Sequence, residues 1–105
     1  MAIEDITPPK VYKFLFDIIE NGYITNHVSS KITGVVVRFL DARLQGETQL
    51  SVWAEVIPSC LSSTIMCRIV RTGDTVPEGF RYLSTLSTEN DLIYHIYAKS
   101  DLNKR

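Results

Sequence analysis

The feature that most constrains this chain is a period-two alternation of apolar side chains over residues 50–57 and 63–72. The alternating residues are Leu50, Val52, Ala54 and Val56 in the first segment, and Ile65, Cys67 and Ile69 in the second. Successive side chains of a strand point to opposite faces, so this pattern predicts two half-buried β-strands. Pro58 follows the first segment and is expected to end that strand, because proline has no N–H to donate to a ladder.

Further strands are predicted upstream of this pair. "YITNHV" (23–28) is a short strand candidate, and "KITGVVVRFL" (31–40) is β-branched and apolar enough to be buried on both faces. Gly34 inside the second run indicates a bulge or a close backbone approach. "DARLQGETQ" (41–49) is polar and predicts a connection that turns at Gly46.

Two more strands are predicted downstream, over 80–86 and 91–99, joined by the short hairpin connection "STEN". In the last strand, Tyr94 and Ile96 share one face, and His95 lies on the other. The start of the chain is ambiguous, because "VYKFLFDII" (11–19) fits a helical face and a strand about equally well.

The series of short strands and turns predicts an all-β fold. We expect a small antiparallel sandwich or partly open barrel of about six to seven strands, with at most a short helix. Strand–helix–strand alternation is absent, which argues against a parallel nucleotide-binding sheet. The 105 residues suit one domain. The expected organisation is an extended lead-in over 1–10, one all-β domain over 11–99 and a polar tail over 100–105.

Composition and charge narrow the class of partner. Lys and Arg number 11 against 12 Asp and Glu, a net charge of -1 without a basic stripe, which argues against a nucleic-acid partner. No segment has the apolar length of a membrane span, and the opening residues are acidic and polar, so we expect a cytoplasmic protein and no membrane partner.

His27 and His95 are isolated, so neither a metal nor a cofactor is expected. Cys60 and Cys67 are interpreted as buried or half-buried thiols, with a disulfide across a hairpin left open.

Four stretches resemble a family of small domains of unknown function found in phages and prophages. They are "VYKFLFDI", "SVWAEVIP", "CRIVRTGDTVPEGFRYLSTL" and "LIYHIYAK". The chain departs from the family pattern at Thr72-Gly73-Asp74, where a Gly-Thr-Gly run is usual. Family members often have a proline within the opening segment, so the resemblance favours a strand over 11–18. It also implies a viral or prophage origin, which would place the protein in the cytoplasm of the host cell.

The connection over 73–79 is the first candidate site, because arginines and acids surround it. The residues concerned are Arg68, Arg71, Asp74, Glu78 and Arg81, with Tyr82 beyond them. Guanidinium groups bind phosphate or carboxylate oxygens, and Arg68 and Arg81 would meet if the two flanking strands paired. The alternative is a solvated loop in which Arg71 pairs with Asp74 or Glu78. A standard phosphate loop is excluded, because its glycine run, lysine and following helix are all missing.

Three ring-bearing residues complete the candidate site. His95 would serve as a general base only with a carboxylate beside it in a cleft, and a structural or interface role is the alternative. Trp53 and Tyr97 fall on the outward faces of their strands. Exposed Trp, Tyr and Arg are enriched in protein–protein hot spots, so these residues are candidates for an interface.

The functional hypothesis is a binding protein without enzymatic activity. The resemblance suggests a phage accessory protein that binds and inhibits a host protein, in host takeover or in evasion of antiviral defence. Self-association through an exposed strand edge, giving a homodimer, is also expected. The alternative is a small-ligand binder, in which an oligomer sequesters an anionic nucleotide-like signal with Arg68, Arg71, Arg81 and Tyr82 or Trp53.

Overall fold

The computed structural model describes residues 7–103, and the first six and last two residues are left out of the description. The described residues form seven strands and no helix, which confirms the all-β prediction, and every strand pair among them is antiparallel. The strands are β1 (Lys10–Asp17), β2 (Ile19–Glu20), β3 (Tyr23–Ile24), β4 (His27–Gln45), β5 (Gln49–Arg71), β6 (Arg81–Ser87) and β7 (Ile93–Leu102).

The sheet is organised around β5, which has strands on both of its edges. β4 pairs along one edge for almost the whole length of β5. The other edge is divided, because β1 pairs with residues 49–56 and β7 pairs with residues 63–71. β6 adds to the far side of β7, and β2 and β3 form a separate small hairpin.

The β4–β5 pair changes register at its middle, where the sheet curls into a half-barrel. Thr33 pairs with Ser62 and Val35 pairs with Ile57, so residues 58–61 have no partner in β4. Gly34 lies at this break with φ 119°, and an added Cβ would be 2.7 Å from Cγ1 of Val56. The close approach predicted for Gly34 is therefore confirmed. Pro58 was expected to end a strand, and this was wrong, because β5 continues through it.

The two halves of the half-barrel share one core. Phe16, Leu50 and Val52 of the first half belong to the same buried cluster as Ile65 and Ile96 of the second. The buried parity of β5 follows the predicted alternation, because Cys67 and Ile69 are also in this cluster. The cluster residues of β5 are even-numbered in the first half and odd-numbered in the second.

Several boundaries differ from the sequence-based expectation. Residues 11–17 form a strand, as the resemblance favoured, but residues 23–28 are divided between β3 and the start of β4. The polar segment 41–49 continues as strand through Gln45 and turns only at 46–48, with φ 64° at Gly46. Polarity there marks a solvent-facing strand rather than a loop.

The two-sided burial expected over 31–40 was wrong, because Val37 and Leu40 are exposed. These two side chains lie at two of the three irregular positions of β4, between its paired residues. The lead-in over 1–10 lies mostly outside the described residues, and the tail expected from residue 100 contains the end of β7 at Leu102.

Candidate functional site

A hollow of about 560 Å³ lies at one end of the half-barrel. Three turns surround it: the β2–β3 hairpin, the tip of the β4–β5 hairpin and the β6–β7 turn. We call it the Arg71 hollow. Its walls are formed by Ile19, Tyr23, Ile24, Leu92, Ile93 and Tyr94, and its polar residues include Glu47, Arg71, Thr72 and Asp91.

The β2–β3 hairpin presents Tyr23 to the hollow. Asn21 and Gly22 have φ values of 55° and 82°, the two positive values that a tight hairpin turn requires. The hairpin is joined to the β4–β5 turn because the N–H of Ile18 donates to the carbonyl of Thr48 at 3.0 Å. Tyr23 is 76% exposed at its tip, so its ring is available for contact.

The β6–β7 turn presents Leu92 and Ile93 from the opposite side. The hydroxyl oxygen of Thr88 accepts hydrogen bonds from the N–H groups of Asn90 and Leu92, at 3.3 and 3.2 Å. Asp91 adopts φ 61° within this turn and donates its N–H to the carbonyl of Thr88. Leu92 is 52% exposed and Ile93 41%, so apolar surface lies open to water here.

Arg71 is the cation of the hollow and ends β5. Its main chain is held by Asp74, which donates its N–H to the Arg71 carbonyl at 3.0 Å and accepts the Arg71 N–H through Oδ2 at 3.3 Å. Within residues 7–103, no carboxylate lies within 4.0 Å of the Arg71 guanidinium. The alternative, a side-chain pair with Asp74 or Glu78, is therefore not formed, and the guanidinium can bind an oxygen anion from outside.

His95 lies beside the hollow in a chain of hydroxyl groups. Its Nε2 is 2.9 Å from the hydroxyl of Thr72, and its Nδ1 is 3.0 Å from the hydroxyl of Thr85. Tyr82 continues the chain, with its hydroxyl 2.7 Å from that of Thr85. A neutral imidazole donates from one nitrogen and accepts at the other, and threonine hydroxyls can serve both roles. The ring's described hydrogen-bond partners are hydroxyls rather than a carboxylate.

Next to His95 and its hydroxyl partners, an outward-facing row of side chains crosses four strands. His27 of β4 lies opposite Arg68 of β5, which lies opposite Tyr97 of β7, and Tyr97 lies opposite Tyr82 of β6. The two tyrosine rings are 5.7 Å apart and nearly perpendicular. Phe80 covers part of the row, with its ring centre 5.9 Å from Cζ of Arg68. The Nε of Arg68 is buried there without a hydrogen-bond partner in the described residues.

The structure divides the residues that the sequence placed in one site. Arg71 lines the hollow, and Asp74 lies outside its lining, in contact with the Arg71 main chain. Arg68, Tyr82, His95 and Tyr97 lie on the adjacent outward face. Trp53 lies on the outward face of the other half of the barrel, opposite Lys13 and Asp41. Glu78 is exposed in the connection before β6.

Arg68 and Arg81 were expected to meet if the strands that flank the connection paired, and the structure does not bring them together. The strands that flank the connection do not pair, because β7 lies between β5 and β6. Arg81 also lies opposite Ala98, on the parity of the core, while Arg68 lies opposite Tyr97. An anion site built from Arg68, Arg71 and Arg81 of one chain is therefore not formed.

The exposed apolar residues of the hollow were not identified as site residues from the sequence. Tyr23 was placed within a longer strand over 23–28. Leu92 and Ile93 were placed in the last strand, which begins at Ile93. The dipeptide Asn21-Gly22 is the signal that could have identified the β2–β3 hairpin, because it favours a two-residue turn.

The described residues carry no cluster of metal-binding side chains, and no helix that could cross a membrane is found among them. Both cysteines are free. Cys67 is buried, but Cys60 is exposed, against the expectation of two sheltered thiols. They lie on one strand, β5, so no hairpin brings them together.

The comparison with known proteins gives a family but no characterised relative. The chain has no significant match among curated proteins or among solved structures. Residues 8–105 match the model of a domain of unknown function, DUF7352. Because the match covers nearly the entire chain, this protein belongs to the DUF7352 family of domains of unknown function.

Proposed function

We propose that this domain is a binding protein that captures an exposed segment of a protein partner in the Arg71 hollow. The observation that carries the proposal is that exposed apolar groups meet an arginine without a carboxylate partner among residues 7–103. Tyr23, Leu92 and Ile93 converge on the hollow that contains Arg71. Aromatic and arginine side chains of this kind dominate the energetics of protein interfaces.

The chemistry of the hollow defines the segment that fits. An aliphatic or aromatic side chain would enter between Tyr23 and Leu92, and burial of its apolar surface would supply most of the affinity. A carboxylate of the same segment would accept hydrogen bonds from the Arg71 guanidinium. Glu47 and Asp91 at the edge of the hollow would repel a second acid, which fixes the direction of the bound segment.

The biological setting of the proposal rests on the phage-like sequence segments alone. We propose that the partner is a host protein and that binding inhibits it, in host takeover or in evasion of antiviral defence. No step of this function requires a reaction catalysed by the domain.

Selection of a random-peptide display library against the immobilised chain tests the proposal. We expect enriched peptides to combine an acidic residue with an aromatic or aliphatic one. Their dissociation constants should rise at least tenfold for Arg71→Ala and for Tyr23→Ala. Arg81→Ala is the matched control, because it removes an exposed arginine outside the hollow. Equal binding by the Arg71 variant and the wild type would refute the site.

A lysate experiment then tests the host partner. The wild-type chain should enrich a protein that Arg71→Glu fails to enrich, while Trp53→Ala should still capture it, because Trp53 lies on the other half of the barrel. Loss of capture in the Trp53 variant alone would move the interface to that face.

The volume of the hollow favours a second candidate function. About 560 Å³ lies within the usual size range of small-ligand sites. An anionic, nucleotide-like ligand could stack on Tyr23 and bind Arg71. Thermal melting with a panel of nucleotides tests this, because a ligand at a hundredfold excess over its dissociation constant adds about 2.7 kcal/mol of stability. The absence of any shift across the panel would exclude this candidate.

A further inference from the structure

The strand β1 leaves one edge without a strand partner in the described part of the chain. It pairs with β5 over eight consecutive positions without a register shift. Its outer-face apolar side chains are open, with Val11 59% and Leu15 47% exposed. A regular, exposed edge of this kind is a template for pairing with another strand.

The hydrogen bond from Ile18 N–H to the Thr48 carbonyl shows which groups point to the free edge. It continues the β1–β5 register, so the even-numbered residues of β1 direct their backbone groups toward β5. The odd-numbered residues therefore present their N–H and C=O groups outward. These residues are Val11, Lys13, Leu15 and Asp17.

The other outer strands are less suited to pairing. β4 has register shifts at three places along its length, and β6 has one between Tyr82 and Ser84. Bulges twist an edge and interrupt its row of donors and acceptors. Of the outer strands β1, β4 and β6, β1 is the one that pairs without a register shift.

The charges along β1 select one way for it to pair with a second copy of itself. An antiparallel pair with two-fold symmetry places residues of the same parity opposite each other, because the axis is perpendicular to the sheet. An axis at Lys13 would set the two Lys13 side chains face to face, and an axis at Phe14 would set Lys13 against Leu15. An axis at Leu15 sets Lys13 of each copy opposite Asp17 of the other.

We propose that two copies of this chain form a dimer through β1, paired antiparallel about Leu15 with Lys13 of each copy opposite Asp17 of the other. The dimer extends the sheet across both copies. Its outward faces become one surface that carries Trp53 twice. In each copy Trp53 lies next to the interface on the face of Lys13, whose Nζ is 5.8 Å from the Trp53 ring centre. This proposal concerns a different surface from the Arg71 hollow and does not depend on it.

Charge-swap variants test the pairing, with sedimentation velocity as the measurement. The wild-type chain should sediment as a dimer. Lys13→Asp sets Asp against Asp at both ends of the interface, and Asp17→Lys sets Lys against Lys, so each should raise the dimer dissociation constant at least tenfold. An equimolar mixture of the two variants should form the heterodimer, because both opposed pairs are then attractive. The double variant should dimerise with wild-type affinity.

Two further variants distinguish loss of the β1–β1 pairing from an effect of altered net charge. Lys31→Asp makes the same charge change at an exposed position of β4 and should leave the dimer intact. Leu15→Pro removes the central outward N–H without removing a bond to β5, and it should give a monomer. A wild-type chain that remains monomeric at 100 μM or more would overturn the proposal. A dimer that is insensitive to the single charge changes, or a mixture no tighter than either variant alone, would also overturn it.

Discussion

The hydroxyl of Thr72 lies 2.9 Å from Nε2 of His95, and this contact joins the Arg71 hollow to the outward face of the sheet. Thr72 lines the hollow and follows Arg71 directly, while His95 lies near the start of β7. Because Thr85 of β6 bonds the other ring nitrogen, one side chain links the connection after β5 to both strands of the next hairpin. The position of Arg71 therefore depends on β7 as well as on its own strand.

Replacement of Thr72 by Val should lower the free energy of unfolding by about 0.5–1 kcal/mol, because one hydrogen bond to His95 is lost while the side-chain volume is kept. Urea unfolding measures the change. Thr75→Val is the matched control, since the Thr75 hydroxyl makes no hydrogen bond within residues 7–103, and it should have no measurable effect. Equal losses in the two variants would mean that the contact contributes nothing.

Gly34→Ala should be among the most destabilising single changes, with a loss of about 2–4 kcal/mol. Its φ of 119° is strained for any residue with a Cβ, and the added methyl would be 2.7 Å from Cγ1 of Val56 and 3.0 Å from the Ile57 carbonyl oxygen. Gly46→Ala is the control. Its φ is also positive, but nothing lies within 4 Å, so about 1 kcal/mol is expected. Similar midpoints of urea unfolding for both variants would contradict the close approach.

Leu50→Ala should cost about 2–5 kcal/mol, because Leu50 is fully buried where β1, β4 and β5 meet, and its removal leaves a cavity. Leu92→Ala removes the same atoms from an exposed site and should change stability by less than about 0.5 kcal/mol. Differential scanning calorimetry measures the stability of the two variants against the wild-type chain. A large loss in the Leu92 variant would show that the hollow contributes to the core.

The two cysteines should differ in reactivity. Burial raises the pKa of the Cys67 thiol to about 12, and the thiolate is the form that reacts, so Cys67 should resist iodoacetamide at pH 8. Exposed Cys60 should react, giving one adduct in the folded chain and two after unfolding, as measured by mass spectrometry. Folded Cys60→Ser should give none. Labelling of that folded variant would show that the Cys67 thiol is accessible.

The same thiol makes stability depend on alkaline pH. The folded chain keeps the Cys67 proton up to about pH 12, whereas the unfolded chain releases it near the ordinary pKa of 9.0. The folded state therefore binds more protons between these values, and the free energy of unfolding should fall as the pH rises through this window. Cys67→Ala should show a shallower fall in urea unfolding measured from pH 8 to pH 11. Parallel curves for the two chains would contradict this assignment.

The strands of this fold were largely predictable, because the period-two pattern reports which side chains face the core. Leu50, Val52 and Ile65 have the burial that their spacing indicates. Pro58 misled the prediction, since proline ends a strand only where its missing N–H is needed for a ladder. Here it lies among residues 58–61, which have no partner in β4.

The site was less predictable, because it depends on which strands are neighbours. Residues 68 and 81 flank a short connection, yet β7 lies between their strands, and β7 is formed by residues that follow both in the chain. The hollow likewise combines Tyr23, Arg71 and Leu92 from three distant parts of the sequence. Local patterns indicate which face a residue occupies and do not indicate which distant turn will lie beside it.

The divided edge of β5 has a consequence for the order of folding. The β4–β5 hairpin is joined by a three-residue turn and can form from local contacts, so its loop-closure cost is small. β1 and the β6–β7 hairpin then add to separate stretches of the same edge, and neither occupies the place of the other. The two additions can therefore occur in either order, and destabilising one half should slow its own docking while leaving the docking of the other unchanged.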